Sequence, residues 1–244
     1  PHEALNDAKA KAYTQLMISH LTGASVTQMI EIGRRLGLFE TLAAMPVATS
    51  AALAEQAGLT ERYVREWLGA MVCGGIVEYN PVARTYHLPA EHAGLLTGHH
   101  SRNLTTSAAL FPLLTRVLPD VTEEFRRGGG VPYASFQPEF TGLMDSRSRP
   151  RYDEFLFTKY LGSPEGLITR LEQGIRVADI GCGTGYCINL MARRFPQSTF
   201  VGYDLSESAI SRARAEAAAT DVRNVTFFVE DVRKLPLEPK FDLV

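Results

Sequence analysis

The stretch Val177–Tyr186, VADIGCGTGY, runs from an apolar segment through an acid into three glycines at alternate positions. IRVADI ahead of it is β-rich, and Tyr186 to Phe195 behind it has helical spacing, so the glycines occupy a strand-to-helix turn. The same grammar repeats downstream. STFVGYD reads as a strand, SESAISRARAEAAA as a helix, NVTFFVED as a strand and FDLV as the start of another. Strands alternating with helices imply right-handed βαβ units and a parallel sheet.

In such a sheet ligands collect beyond the carboxyl ends of the strands. Three places qualify: Asp179 with the glycine turn, Asp204 and Asp231. Gly181, Gly183 and Gly185 let the backbone turn sharply and approach a ligand, while the next helix offers its free N–H groups. A dinucleotide fingerprint GxGxxG begun at Gly181 requires glycine at position 186, where the chain has Tyr186. Asp204 ends the second strand about 20 residues after the turn, where a carboxylate can accept both hydroxyls of a ribose and repel a 2′-phosphate. Asp231 ends the third, where it can accept from an exocyclic amine of a purine. An isolated turn of this kind also serves structure alone; the two downstream acids favour an adenosine ligand without a diphosphate.

DIGCGTG, the acid of GYDLS and the acid of VEDVRKLP, in that order at successive strand ends, resemble motifs I, II and III of class I S-adenosylmethionine-dependent methyltransferases. The resemblance implies that Asp179, Gly181, Gly183 and Gly185 hold the methionine part of the cofactor, with Cys182 a small residue of the same cradle. It implies that Asp204 holds the ribose and Asp231 faces the adenine, with Leu205 packed beside the ring and Val232 offering a backbone contact. The family core has seven strands, and the chain supplies three and the start of a fourth. It therefore reads as a C-terminally truncated fragment, starting at Pro1 and stopping within FDLV. No catalytic residue is carried over, the base being expected beyond Val244.

The N-terminal half has a different pattern. Apolar residues recur at helical spacing from Ala4 to about Thr22 and from about Val26 to Leu36, predicting two helices that pack on each other or on a second copy of the chain. Ser50 can cap a helix ended by Gly58, and Thr60 can cap a second with Tyr63, Val64, Trp67, Leu68 and Met71 on one face. IVEY and TYHL around NPVAR then read as a hairpin, which completes a winged helix. From Asn103 to Arg127 a helical stretch is broken by Pro112 and Pro119; RRGGGVPY is a loop; Pro138 to Leu171 reads as two or three helices. A winged helix before a helical segment and this core is similar to the Rv2258c-like group of bacterial small-molecule methyltransferases, and the FRRGGGVPY loop adds to the likeness.

The expected fold class is thus α/β. An N-terminal all-helical winged-helix domain, with the hairpin as its wing, covers residues 1–100 for dimerisation and pocket closure. A helical substrate-pocket segment covers 101–172, and 173–244 form the first half of an incomplete Rossmann-like parallel-sheet methyltransferase core. The function expected is methyl transfer from S-adenosyl-L-methionine to a small-molecule acceptor by a cytoplasmic homodimer. The alternative is a winged-helix DNA-binding regulator that senses the cofactor without catalysis. Against it stand a net charge of −2 and a second helix whose Arg62 and Arg65 meet Glu61 and Glu66, with only Arg84 on the wing. Cys73, Cys182 and Cys187 form no CxxC pair, so neither a disulfide framework nor a metal site is expected. No run of about 18 apolar residues predicts a membrane span. His87, His99 and His100 are open to a general-base role but equally to hairpin and surface positions. Tyr133 is read as packing on its own domain ahead of closing over a ligand.

Overall fold

The computed structural model describes residues 6–235 and 241–244. Ala4 and Leu5 of the first expected helix, and Pro236 of the third motif, lie outside them. The chain divides into two compact units, Pro1–Leu118 and Pro119–Val244.

The first unit opens on α1, Asp7–Arg35, one helix where the sequence predicts two. The expected break between about Thr22 and Val26, where Gly23 lies, does not form. A glycine inside a helix costs about 1 kcal/mol relative to alanine, too little to interrupt a helix that is otherwise continuous. The Ser25 and Thr27 hydroxyls, which favour turns elsewhere, instead donate to the carbonyls of Leu21 and Gly23 at 3.2 and 2.8 Å. Asn6 caps the start by accepting from the Lys9 N–H. Residues 11–25 are exposed throughout, and from Val26 the helix turns an apolar face inward.

Packed on that face are α2 (Leu38–Ala43) and α4 (Glu61–Cys73), with α3 (Ser50–Ala57) packed on both of these. The cap of α3 is Thr49, one residue ahead of the expected Ser50; Ser50 donates to Glu61 on α4. Val64, Trp67, Leu68 and Met71 are buried, whereas Tyr63, expected with them, is 75% exposed because it lies one position off the stripe. Trp67 anchors the unit: its indole N–H donates to the Met29 carbonyl at 2.9 Å, and its ring meets Phe39 edge-on at 5.1 Å. The wing is an antiparallel hairpin, β1 (Glu78–Asn80) with β2 (Thr85–His87), turned by Asn80, which accepts from the Val82 and Ala83 N–H groups. Ala48 bridges to Tyr86 as a third short strand, so the winged helix is not wholly helical. α5 (Ala90–Leu96), α6 (Thr105–Ala108) and α7 (Leu110–Arg116) follow. Pro112 and Pro119 both fall in first turns, of α7 and of α8 (Leu118–Arg127), where no intrahelical N–H is needed.

In the second unit, three consecutive left-handed glycines, Gly128 to Gly130, lead to a single 3₁₀ turn, Tyr133–Phe136. Then come α9 (Glu139–Phe155), a π-helical turn (Leu156–Tyr160) and α10 (Leu167–Gln173). The sheet is parallel, in the order β3 (Arg176–Ile180), β4 (Thr199–Asp204), β5 (Val225–Val229), crossed by α11 (Tyr186–Arg194) and α12 (Glu207–Ala219). The expected fourth strand is present as one parallel bridge, Leu243 to Val177, on the edge of β3 away from β4. β3 is thus flanked by β4 on one side and by the Leu243 bridge on the other, and in a parallel sheet the ligand crevice lies at the carboxyl end of such a strand. Beneath it Ile188, Phe195, Phe200, Ile210 and Phe227 form the core. Among the described residues no helix is long and apolar enough to cross a membrane.

A Cβ at Gly33 on α1 would lie 2.6 Å from the Trp67 ring and 2.9 Å from Phe39. Overpacking of this kind costs about 1–3 kcal/mol, against roughly 1 kcal/mol gained by replacing a mid-helix glycine. Gly33→Ala should therefore unfold at lower urea concentration, followed by the fluorescence of the single tryptophan; an unchanged or higher midpoint contradicts the packing described.

Candidate functional site

β3 stops at Ile180 because Gly181, Gly183 and Gly185 all take left-handed backbone angles, φ 75°, 54° and 72°. Gly181 and Cys182 donate their N–H groups to the Tyr203 carbonyl on β4, at 2.8 and 3.0 Å, which folds the turn over the neighbouring strand. Gly183 donates to Asp204 Oδ2 at 2.9 Å, and Ser206 N–H to Oδ1 at 2.8 Å. The carboxylate at the end of β4 thus buttresses the turn while keeping lone pairs free on the cleft side. Gly185 has another reason to be glycine: a Cβ there would lie 2.7 Å from the Ala213 methyl and 2.8 Å from the Phe227 ring.

Two cavities meet at this turn. One, of about 200 Å³, is lined by Asp179, Cys182, Gly183 and Thr184 and walled by Asp145 and Tyr152 of α9. The other, of about 310 Å³, has Ile180, Tyr203, Leu205, Glu230, Asp231 and Val232 around it. Tyr133, Gly181 and Asp204 line both, so they form one cleft, with a polar recess on the α9 side and a more apolar one over β4 and β5. Their combined size falls in the range of about 300–1,000 Å³ usual for small-ligand sites.

Of the nine residues singled out from sequence, eight line this cleft; Gly185 does not, and packs behind the turn. Asp179 is held up to about 6, first by burial and then by the nearby charge of Asp204. Asp231 differs from its expected role as an open acceptor. The Arg233 guanidinium grips both its oxygens, at 2.6 to 3.2 Å, and the Arg233 N–H also donates to it. Those hydrogen bonds hold its carboxyl down to about 2. The Cys182 and Cys187 thiols are both pushed up to about 12, chiefly by burial, so neither is an activated nucleophile.

Several cleft residues were missed. Thr141, Asp145, Ser148 and Tyr152 form one polar face of α9, and their helical spacing was a usable signal in a segment read only as a general pocket wall. Tyr133 both packs edge-on against Phe140, at 5.9 Å, and lines the cleft. No histidine lines either cavity among the described residues; His87 Nδ1 is hydrogen-bonded to the Pro46 carbonyl at 2.8 Å. On α4, Arg62 pairs with Glu66 and Arg65 with Glu61, at 2.9 and 3.8 Å, so its exposed face carries balanced charge.

Comparison with known proteins agrees with both units. Residues 24–98 match the family model of the Rv2258c-like winged HTH domain, and residues 171–244 that of a methyltransferase domain. A malonyl-[acyl-carrier protein] O-methyltransferase of Bacillus cereus is 39% identical over 70 residues, 29% of this chain and 25% of that protein. The chain spans about a quarter of the length of such curated relatives. Among solved structures, the mitomycin 7-O-methyltransferase MmcR aligns with TM-score 0.70 at 18% identity, over 95% of this chain and 70% of the other. PigF with SAH aligns with TM-score 0.67 at 17% identity, over 94% and 70%. At such identities these two establish the fold.

The burial of Asp179 has a consequence for stability. Its folded-state value lies above the unfolded value of 3.8, so the native state binds the extra proton between about pH 4 and 6 and stability falls as pH rises through that window. The full penalty, at most about 3 kcal/mol, is present above pH 6. Asp179→Asn should accordingly raise the unfolding free energy at pH 8 and leave it nearly unchanged at pH 4. Denaturant titrations of both proteins at the two pH values measure this, and an equal effect at both pH values contradicts it.

Proposed function

From a chain that carries an Rv2258c-like winged HTH domain and a methyltransferase domain, we propose a methyltransferase that binds S-adenosylmethionine in the cleft at the carboxyl ends of β3, β4 and β5. Its methyl acceptor is a small molecule. The observation that carries the reading is Asp204: a carboxylate at the end of β4, tied to the glycine turn by the Gly183 N–H and placed where both recesses meet.

The residues fit the cofactor in chemistry. Asp179 and Asp204 make the recess acidic beside the glycine turn, which suits an ammonium and a sulfonium. Asp204 retains acceptor sites for two ribose hydroxyls. Leu205, Val232 and Ile180 supply apolar surface for a flat ring beside them. Because Asp231 is closed by Arg233, the ring's recognition rests on this apolar surface and backbone rather than on that carboxylate.

When bound, the cofactor supplies an electrophilic methyl group on a good leaving group. The chain's task is then alignment and exclusion of water; positioning two reactants accounts for roughly 7–11 kcal/mol of barrier reduction. The turn and Asp204 fix one reactant. The α9 face with Ser148, Tyr152 and Met144, together with Tyr133, walls the side from which an acceptor approaches. With the thiols raised and no histidine in the cleft among the described residues, proton removal from the acceptor falls to neither residue type.

Calorimetric titration with S-adenosylmethionine tests the reading. Charge-assisted hydrogen bonds contribute about 1.5–3 kcal/mol each, so Asp204→Ala should weaken binding by about 100-fold or more. A wild-type chain that binds neither S-adenosylmethionine nor S-adenosylhomocysteine ends the proposal.

The same reading takes the protein to be a cytoplasmic homodimer, with α1 as the interface. Tyr13, Met17 and Leu21, four residues apart along one side of α1, and Leu16 beside them are exposed. Leu16→Glu should shift the mass measured by light scattering from dimer to monomer; a wild-type monomer, or a variant that stays dimeric, contradicts it.

A further inference from the structure

We propose that Asp145 is a positioning residue for the glycine turn: through the Thr184 hydroxyl it sets the conformation of Gly183–Gly185, and with it the grip on the amino-acid end of the cofactor. The inference rests on the cofactor reading above. It assigns a function to an acid far from the glycine motif in sequence.

Thr184 is 5% exposed and lies between two left-handed glycines. Glycine restrains its own dihedrals weakly, so the turn owes its shape to hydrogen bonds. Gly181 and Cys182 are tied to Tyr203, Gly183 to Asp204 and Gly185 to Cys182. The side-chain tie at Thr184 runs to a separate element: its hydroxyl donates to Asp145 Oδ1 on α9.

Asp145 is itself fixed from three directions. Besides Thr184, Arg149 Nε donates to Oδ1 at 2.8 Å, and Arg212 of α12 donates to Oδ2 at 2.9 Å. Arg149 then reaches Glu216 of α12 with both terminal nitrogens, at 2.6 and 3.3 Å, and lies over the Tyr186 ring at 4.0 Å. Tyr186 opens α11, directly after the turn, and its hydroxyl donates to Asp153 on α9. α9 buries Thr141 and Pro150 and packs Tyr152 against the apolar core, and this polar clasp adds the directional ties that fix its register against the turn. Partly buried ion pairs add little net stability because desolvation offsets attraction, but they define geometry. A carboxylate with three fixed donors is a rigid post for a turn that is otherwise permissive.

The test compares two ligands in the full chain: S-adenosylmethionine, and 5′-methylthioadenosine, which lacks the amino-acid end. Thr184→Val removes the hydroxyl and keeps the shape; Thr184→Ser keeps the hydroxyl. Calorimetry should find S-adenosylmethionine weakened about tenfold by Thr184→Val, methylthioadenosine within about threefold of wild type, since Ser206 still holds Asp204, and Thr184→Ser close to wild type for both. Asp145→Asn should follow Thr184→Val; if it does not fold, the Thr184 pair decides alone. Equal losses for both ligands, or none for either, overturn the positioning role. If the wild-type chain binds neither ligand, the cofactor reading fails and takes this proposal with it. Normal binding by the wild type with a silent Thr184→Val sinks this proposal alone.

Discussion

The hydrogen bond from the Gly183 N–H to the Asp204 carboxylate joins the ends of two adjacent parallel strands. It is possible only because β3 and β4 are in a register that sets Ile180 opposite Tyr203, so that the turn after one strand arrives beside the acid that ends the other. The Tyr203 carbonyl takes two more N–H groups of the same turn. A loop of glycines is thereby given a defined shape, and an acid is held at the junction of two recesses. The core beneath serves this arrangement: Phe227 packs so closely on Gly185 and Gly202 that neither can carry a side chain without displacing it.

The two units solve their packing problems in different ways. In the winged helix, Trp67 and Phe39 fill the centre and the helices close around them by apolar burial, with one indole hydrogen bond orienting the largest ring. In the second unit the sheet has an apolar core, but the wall of the cleft does not. α9 meets α11 and α12 through arginines, carboxylates and hydroxyls. A polar wall suits a charged ligand, since the same groups that orient the helix also raise the local field. Asp179 is raised first by burial and then by the Asp204 charge beside it.

Much of the fold was legible because its signals are local. The alternation of strand and helix after Gly174, the left-handed Gly58 that ends α3 and the prolines at the starts of α7 and α8 all act within a few residues. The misreadings have the same origin. The gap expected between about Thr22 and Val26 does not open, because a continuous helix overrides the low propensity of Gly23. Ser50 and Thr49 are equivalent caps by type, and what separates them is Glu61, which accepts from Ser50. Tyr63 is apolar enough for the stripe on α4 but misses it by one position.

By itself the sequence determined the parallel sheet, the glycine turn and the acid at each strand end, because strand periodicity and the need for left-handed backbone are written in adjacent residues. Only the tertiary structure decided which of those acids stays open. Asp204 is held by backbone donors and keeps acceptor sites free, whereas Asp231 is closed by a guanidinium two residues on. It also decided that Tyr133, Asp145 and Tyr152 complete the cleft. The physical reason is competition: a carboxylate or hydroxyl bonds to whichever partner the fold brings nearest, whether two residues away, as Arg233 is from Asp231, or on another element, as Asp145 is from Thr184.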